Sequence, residues 1–491
     1  MTSKKTAVVI GAGIAGIAAS IRLQHKGYEV IVFEANDYPG GKLSQFTQGN
    51  YRFDAGPSLF TMPQYVDELF TLAGKNATDC FQYRRKEESC RYFWEDGTSF
   101  IAHADQNKFA EEVEKILGVP SEIVKKKLLQ SKKMYEIAGR TFLEKPLNKV
   151  STWMSAEVLK AAIQMPMLGI FSTMHRENAR FLKHPKLIQL FDRYATYNGS
   201  DPYRAPGILN IIPHFEHGIG TFHPVKGMHQ ITESLYTLAT ELGVKFRFNE
   251  KVQKILSTKG KAVGIQTALN TYQSEIVVSN MDITPTYRRL LPDSKAPERT
   301  LQQEGSSSAL IFYWGINRSF SELGLHNIFF SEDYKKEFKD IFSGKVPADD
   351  PTVYINITSK DVPSDAPKGC ENWFVMVNVP ADNGQDWETL IPKYKEVILQ
   401  KLTKILGIDP ALFIENESVL SPPLIELRTS STGGSLYGTS SNSRYAAFLR
   451  HTNDSSSIRN LYFCGGSVHP GGGIPLCLLS AKIVSELCPK P

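Results

Sequence analysis

"TAVVIGAGIAG" (residues 6–16) is a short apolar run that ends in three spaced glycines. The run Ala7 to Ile10 predicts a buried strand. Ile14, Ile17, Ala18 and Ile21 then recur with the helical period and predict a helix. "YEVIVFEAN" predicts a second strand that closes on Glu34, eighteen residues past Gly16. Strand, G-x-G-x-x-G, helix, strand and acid in this order make a dinucleotide-binding βαβ unit. Gly11 permits the tight turn, Gly13 lets backbone approach a pyrophosphate, and Gly16 lets helix and strand pack closely. The helix start at Ile14 and Ala15 offers unpaired N–H groups to phosphate. Glu34, followed by Ala35, can accept both ribose hydroxyls of an adenosine.

The bulk properties fit this reading. A chain of 491 residues, 41% hydrophobic and 22% charged, has room for two or three domains. A net charge of +5 is too weak and too dispersed to argue for nucleic acid. The six cysteines make no CxxC pair, which argues against zinc or a dithiol centre and for free thiols in a cytoplasmic protein. Lys4 and Lys5 before sixteen uncharged residues also resemble a signal peptide. The βαβ reading explains the same residues better. No compact metal-ligand set is present; His214, His217 and His223 near Glu216 have the wrong spacing.

Downstream of Glu34, "YPGGKLSQF" places Gly40, Gly41 and Lys42, and "FDAGPSLF" places Gly56, Pro57 and Ser58. This order resembles the flavoprotein superfamily of amine oxidases and phytoene desaturases, with its E-x-x-x-x-x-G-G-(R/K) pattern. The resemblance implies FAD, with this segment running under the pyrophosphate toward the flavin. Lys42 stands where arginine is commoner and offers a point charge in place of a planar fork. A helix bearing Ile231, Leu235, Leu238 and Leu242 follows Gly227, and "SEIVVSNMD" predicts a strand leading to Asn280 and Asp282. These look like the family's second flavin segment, in which Val252 would present its backbone to adenine.

The C-terminal "GGSVHPGGGIP" (465–475) is similar to the family's G-x-G-T-H-P-G-x-G-I-P block and precedes a helix with Pro475 in its first turn. The resemblance implies that Gly466, Ser467, Gly472, Gly473 and Ile474 lie against the isoalloxazine. The helix dipole would then stabilise charge on the reduced ring. Ser467 and Leu476 depart from the family's glycines.

The expected fold is α/β plus α+β. A Rossmann-like FAD domain would come from residues 1–74, 222–294 and 416–491. A mixed-sheet substrate domain would come from 75–221 and 295–415, with a helical lid near 105–200. The resemblance points to carotenoid desaturases of the bacterial type. Hydride would pass from an allylic carbon to the flavin, with the cation delocalised into the polyene. The nearest subgroup is the 1-hydroxycarotenoid 3,4-desaturases. Phytoene desaturase, carotene isomerase, carotenoid ketolase and amine oxidase stay open as alternatives. Glu216, His217 and His469 are the candidate catalytic residues. The basic run "IVKKKLLQSKK" (123–133) and the apolar "VLKAAIQMPMLGIF" (158–171), too broken to span a bilayer, point to peripheral contact with the cytoplasmic membrane face.

Overall fold

The computed structural model describes residues 5–139, 143–144, 168–343, 348–443 and 450–491. β1 (Thr6–Ile10), α1 (Ile14–Lys26) and β2 (Glu29–Phe33) form the expected crossover. The alanine- and isoleucine-rich α1 is buried along most of its length, so its close seat on the sheet needs a gap in side-chain volume. Gly16 supplies it: a Cβ there would stand 2.1 Å from the Gly11 carbonyl oxygen. Gly11 itself has φ +94° and accommodates the turn.

β1 and β2 belong to a five-stranded parallel sheet in the order Leu461–Phe463, Ile276–Ser279, β1, β2, Lys245–Arg247. Segments hundreds of residues apart therefore lie side by side. The core beneath unites Ile17 and Ile21 of α1 with Leu235 and Leu238 of the helix Gln230–Glu241 and with Leu479 and Val484 of the C-terminal helix Ile474–Leu487. Burying these aliphatic side chains contributes roughly 1.5–3 kcal/mol each.

A seven-stranded sheet makes the second layer, in the order Ile414–Leu420, Ser308–Ile316, Glu371–Val379, Val353–Ile357, His326–Phe329, Glu88–Phe93, Ser99–His103. It is mixed: the pairing of His326–Phe329 with Glu88–Phe93 is parallel and the rest antiparallel. Strand Ser308–Ile316 is buried at every position, as its continuous apolar run requires. The expected boundary at residue 416 falls inside the strand Ile414–Leu420.

The basic run forms the helix Ser121–Met134. Lys126, Lys132 and Lys133 are exposed, as is Leu129. Lys127 is a correction to the surface reading of this run. It is fully buried, with its ammonium over the Phe191 ring at 5.7 Å. It lies one turn after Val124 and one turn before Ser131, on the side of the helix that packs inward. The apolar stretch 158–171 lies, through residue 167, outside the described residues. Among the described residues no helix is long and apolar enough to cross a membrane.

Candidate functional site

Between the two sheets runs a cavity of about 920 Å³. From the first crossover Gly11, Gly13, Ile14, Ala15, Glu34 and Ala35 line it. Gly41, Lys42, Gly56, Pro57 and Ser58 follow, then Val252 and Asn280. The C-terminal loop contributes Gly466, Ser467, His469, Gly472, Gly473 and Ile474. Gly16 lies off the cavity, in the first turn of α1, and His217 also lies off it.

Glu34 ends β2 and is almost buried. Its Oε2 accepts the Ala12 N–H at 2.7 Å and its Oε1 the Asn36 N–H at 2.9 Å. A carboxylate has about four acceptor positions, so capacity remains for hydroxyls. Ile14 and Ala15 open α1, where backbone N–H groups have no intrahelical acceptor. No acidic side chain occupies that first turn.

Asn280 clasps two distant segments of the chain. Its Oδ1 accepts the Gly16 N–H at 3.1 Å and its Nδ2 donates to the Cys464 carbonyl at 3.1 Å. This changes the reason for Gly13. A Cβ there would meet Asn280 Oδ1 at 2.7 Å before it met any ligand. Lys42 is likewise held by the chain itself. Its ammonium donates to the Ser435 and Leu436 carbonyls at 3.1 and 3.0 Å, and burial pulls its pKa down. Gly472 is demanded by Tyr437, whose ring would stand 2.7 Å from a Cβ. Gly473 and Gly56 are different: both have positive φ, both line the cavity, and a Cβ on either would enter open space.

The segments Arg193–Asn198 and His214–Ile219 carry a buried polar cage at the cavity. Tyr194 OH donates to Glu216 Oε1 at 3.1 Å, Tyr197 OH donates to Oε2, and the Arg193 guanidinium stands 3.6 Å from Oε2. Arg193 also lies over the rings of Tyr194 at 4.8 Å and Tyr197 at 5.4 Å. Burial pushes the Glu216 pKa up, but Arg193, His217 and the two phenols outweigh it and hold the carboxyl below its ordinary range. Such a carboxylate is a weak proton acceptor. His217 stacks on Phe109 at 4.7 Å and shares a 2.8 Å hydrogen bond with Tyr194, and burial lowers its pKa. His469 lines the cavity; its backbone N–H donates to the His451 carbonyl at 2.9 Å.

Residues 14–488 match the family described as flavin containing amine oxidoreductase. The chain belongs to that family. This flavin oxidoreductase is 56% identical to a 1-hydroxycarotenoid 3,4-desaturase of a Flavobacterium species, across 99% of both chains. It is 31% identical to a 4,4'-diapolycopene oxygenase of a Methylomonas species, across 98% of this chain and 97% of that one. Its fold is similar to that of the cyclohexylamine oxidase of Brevibacterium oxydans, with TM-score 0.61 at 15% identity, covering 99% of this chain and 98% of that one.

FAD is the cofactor, and the cavity suits it. Acceptor capacity at Glu34, free N–H groups at the start of α1, and the open faces of Gly56 and Gly473 recur along one continuous wall. Sequence reasoning did not find the residues that brace this oxidoreductase's glycine loop. Arg450 is buried and donates to the Tyr437 and Gly466 carbonyls at 2.8 and 3.2 Å and to Asn198 at 2.7 Å. No local pattern marks an arginine whose partners lie up to 252 residues away. Arg193, His326 and Tyr354 were equally silent in the sequence.

Proposed function

We propose that this oxidoreductase is a carotenoid desaturase that introduces a C=C bond near the end of an acyclic, 1-hydroxylated polyene. The observation that carries the reading is the cavity's composition. The turn built for a dinucleotide opens into a space walled by Ile311, Ile328, Phe374 and Met376, which suits a rigid hydrocarbon. The 56% identity to the Flavobacterium enzyme supports the same substrate class. FAD supplies the hydride acceptor. The chain's own work is to hold the polyene end in register and to exclude water while the allylic cation is delocalised along the conjugated chain.

In this reading the first crossover, Gly41 to Ser58, Val252 and the loop Gly466 to Ile474 hold the cofactor, with Asn280 and Arg450 as braces. His469 lies on the same loop. The five-stranded sheet forms the cofactor domain and the seven-stranded sheet the substrate domain, with the border moved to the end of the strand Ile414–Leu420. Substrate enters from a membrane surface. Ala138, Gly139 and Leu143, which line the cavity, directly follow the helix that exposes Lys126, Leu129, Lys132 and Lys133.

The test is anaerobic incubation of the FAD-loaded protein with phytoene, lycopene and 1-hydroxylated acyclic carotenes. A red-shifted chromophore, matched by bleaching of the flavin band, is expected with the hydroxylated substrates. No bleaching with any carotenoid would refute the reading. A terminal carbonyl that forms only after air is admitted, without a lengthened chromophore, would assign end-group oxidation instead.

A further inference from the structure

Three side chains lining the cavity carry a buried polar atom with no hydrogen-bond partner among the described residues: Ser89 Oγ, Arg193 Nε and His326 Nε2. His326 is the most constrained. It is 4% exposed and opens the strand His326–Phe329, and its alternate neighbour Ile328 lines the cavity too. The sheet register sets His326 opposite Asn356 and Ile328 opposite Tyr354.

The contact with Asn356 favours one of the two neutral tautomers of His326. Asn356 Nδ2 donates to the Leu325 carbonyl at 2.9 Å, which orients the amide, and lies 3.3 Å from His326 Nδ1. An amide NH₂ can only donate, so Nδ1 accepts. Tyr354 OH, 2.8 Å from the same Nδ1, is held by Ser58 Oγ at 2.8 Å on its other side. Burial lowers the ring's pKa to about 3, helped by the charges of His223, Lys86 and Arg193. A neutral ring whose Nδ1 accepts carries its one proton on Nε2.

We propose that His326 recognises an oxygen on the end group of the polyene, its Nε2–H donating to a hydroxyl oxygen inside the cavity. The inference rests on the substrate reading above and assigns the residue that enforces it. Ile328, two residues along the strand from His326, and Phe374 and Met376 of the strand Glu371–Val379 line the same cavity. A bare hydrocarbon end would leave the N–H unmet there, which is unfavourable in the absence of water. A tertiary alcohol supplies the missing lone pair. Arg193 Nε–H is a second unmet donor on the same cavity, so the set asks for an acceptor and does not discriminate merely by size. The neutral ring keeps its proton at working pH, so His326 is a specificity residue and not a base. The preference expected from one such hydrogen bond is roughly tenfold or more.

The experiment titrates the FAD-loaded protein and its His326→Phe variant with a 1-hydroxylated acyclic carotene and with the hydrocarbon of equal chromophore length. Binding is read from polyene absorption shifts and flavin quenching, without turnover. The wild type should prefer the hydroxylated ligand about tenfold. The variant should bind both about equally, with unchanged FAD content and flavin spectrum. His326→Gln, which restores an N–H donor, should recover part of the preference. A wild type without preference, or a Phe variant that keeps it, would overturn the proposal. Loss of FAD from a folded Phe variant would assign the N–H to the cofactor and overturn it as well. In a parallel anaerobic turnover assay, a wild type that turns over neither carotene refutes the substrate reading itself. Turnover of both with no binding preference refutes only the role of His326.

Discussion

Lys127 shows how one residue can contradict its neighbourhood. Its ammonium has no hydrogen-bond partner among the described residues, and burial lowers its pKa to about 7 against the attraction of Asp192 and Glu177. The unfolded chain keeps that lysine protonated up to about pH 10.4. Between about 7 and 10 the unfolded state therefore binds more protons, and this group makes the fold more stable as pH rises. Thermal melts from pH 6.5 to 9.5 should show a midpoint that climbs relative to Lys127→Met. At pH 7 the methionine variant should melt higher, by roughly 2–5 °C; a lower midpoint would mean the amine has a partner that matters. Gly473 makes the second residue-scale case. Its φ of +104° strains any side chain, and its missing Cβ faces the cavity. Gly473→Val should lose most bound FAD while keeping its circular dichroism, and undiminished flavin occupancy would remove the loop from the cofactor wall.

Among the elements, the join between the two ends of the chain matters most. β1, the strand Ile276–Ser279 and the strand Leu461–Phe463 are neighbours, and Asn280 ties the first helical turn to the last strand's exit. Asn280→Ala strands the Gly16 N–H and the Cys464 carbonyl without creating a clash. It should cost about 2 kcal/mol, seen as a lower urea midpoint, and should weaken FAD retention together with stability. A variant that loses FAD at unchanged stability would instead make the side chain a direct ligand. The short strands were legible because their apolar runs are bounded by glycine and charge. The residue that fastens them was legible as a strand end and a cofactor contact, not as a fastener.

For the whole molecule, the arrangement predicts delivery of an insoluble substrate from a surface. Lys126, Lys132 and Lys133 surround the exposed Leu129 next to residues that line the cavity. Each lysine near an anionic membrane contributes on the order of 1 kcal/mol, screened by salt. Flotation with anionic vesicles should fall when these three become glutamine, and Lys127→Met should leave it unchanged. Equal flotation of the triple variant would move docking elsewhere. Acid precipitation should release yellow FAD into the supernatant, and flavin retained on the precipitate would show a covalent link.

The sequence alone determined the parts whose physics is local. The apolar run, Gly11, Gly16 and Glu34 specify a βαβ turn because tight turns, close packing and a strand-end acid leave their mark within a few dozen residues. The C-terminal glycine block likewise declared a loop and a helix start. Tertiary structure decided everything that depends on partners distant in the chain. It gave Gly13 to Asn280 and Gly472 to Tyr437, turned Lys127 inward, and caged Glu216 with Arg193. It also set His326 beside Asn356 and Tyr354, thirty and twenty-eight residues on, by the register of a sheet. Burial and hydrogen-bond satisfaction are properties of the assembled neighbourhood, and no window of sequence contains them.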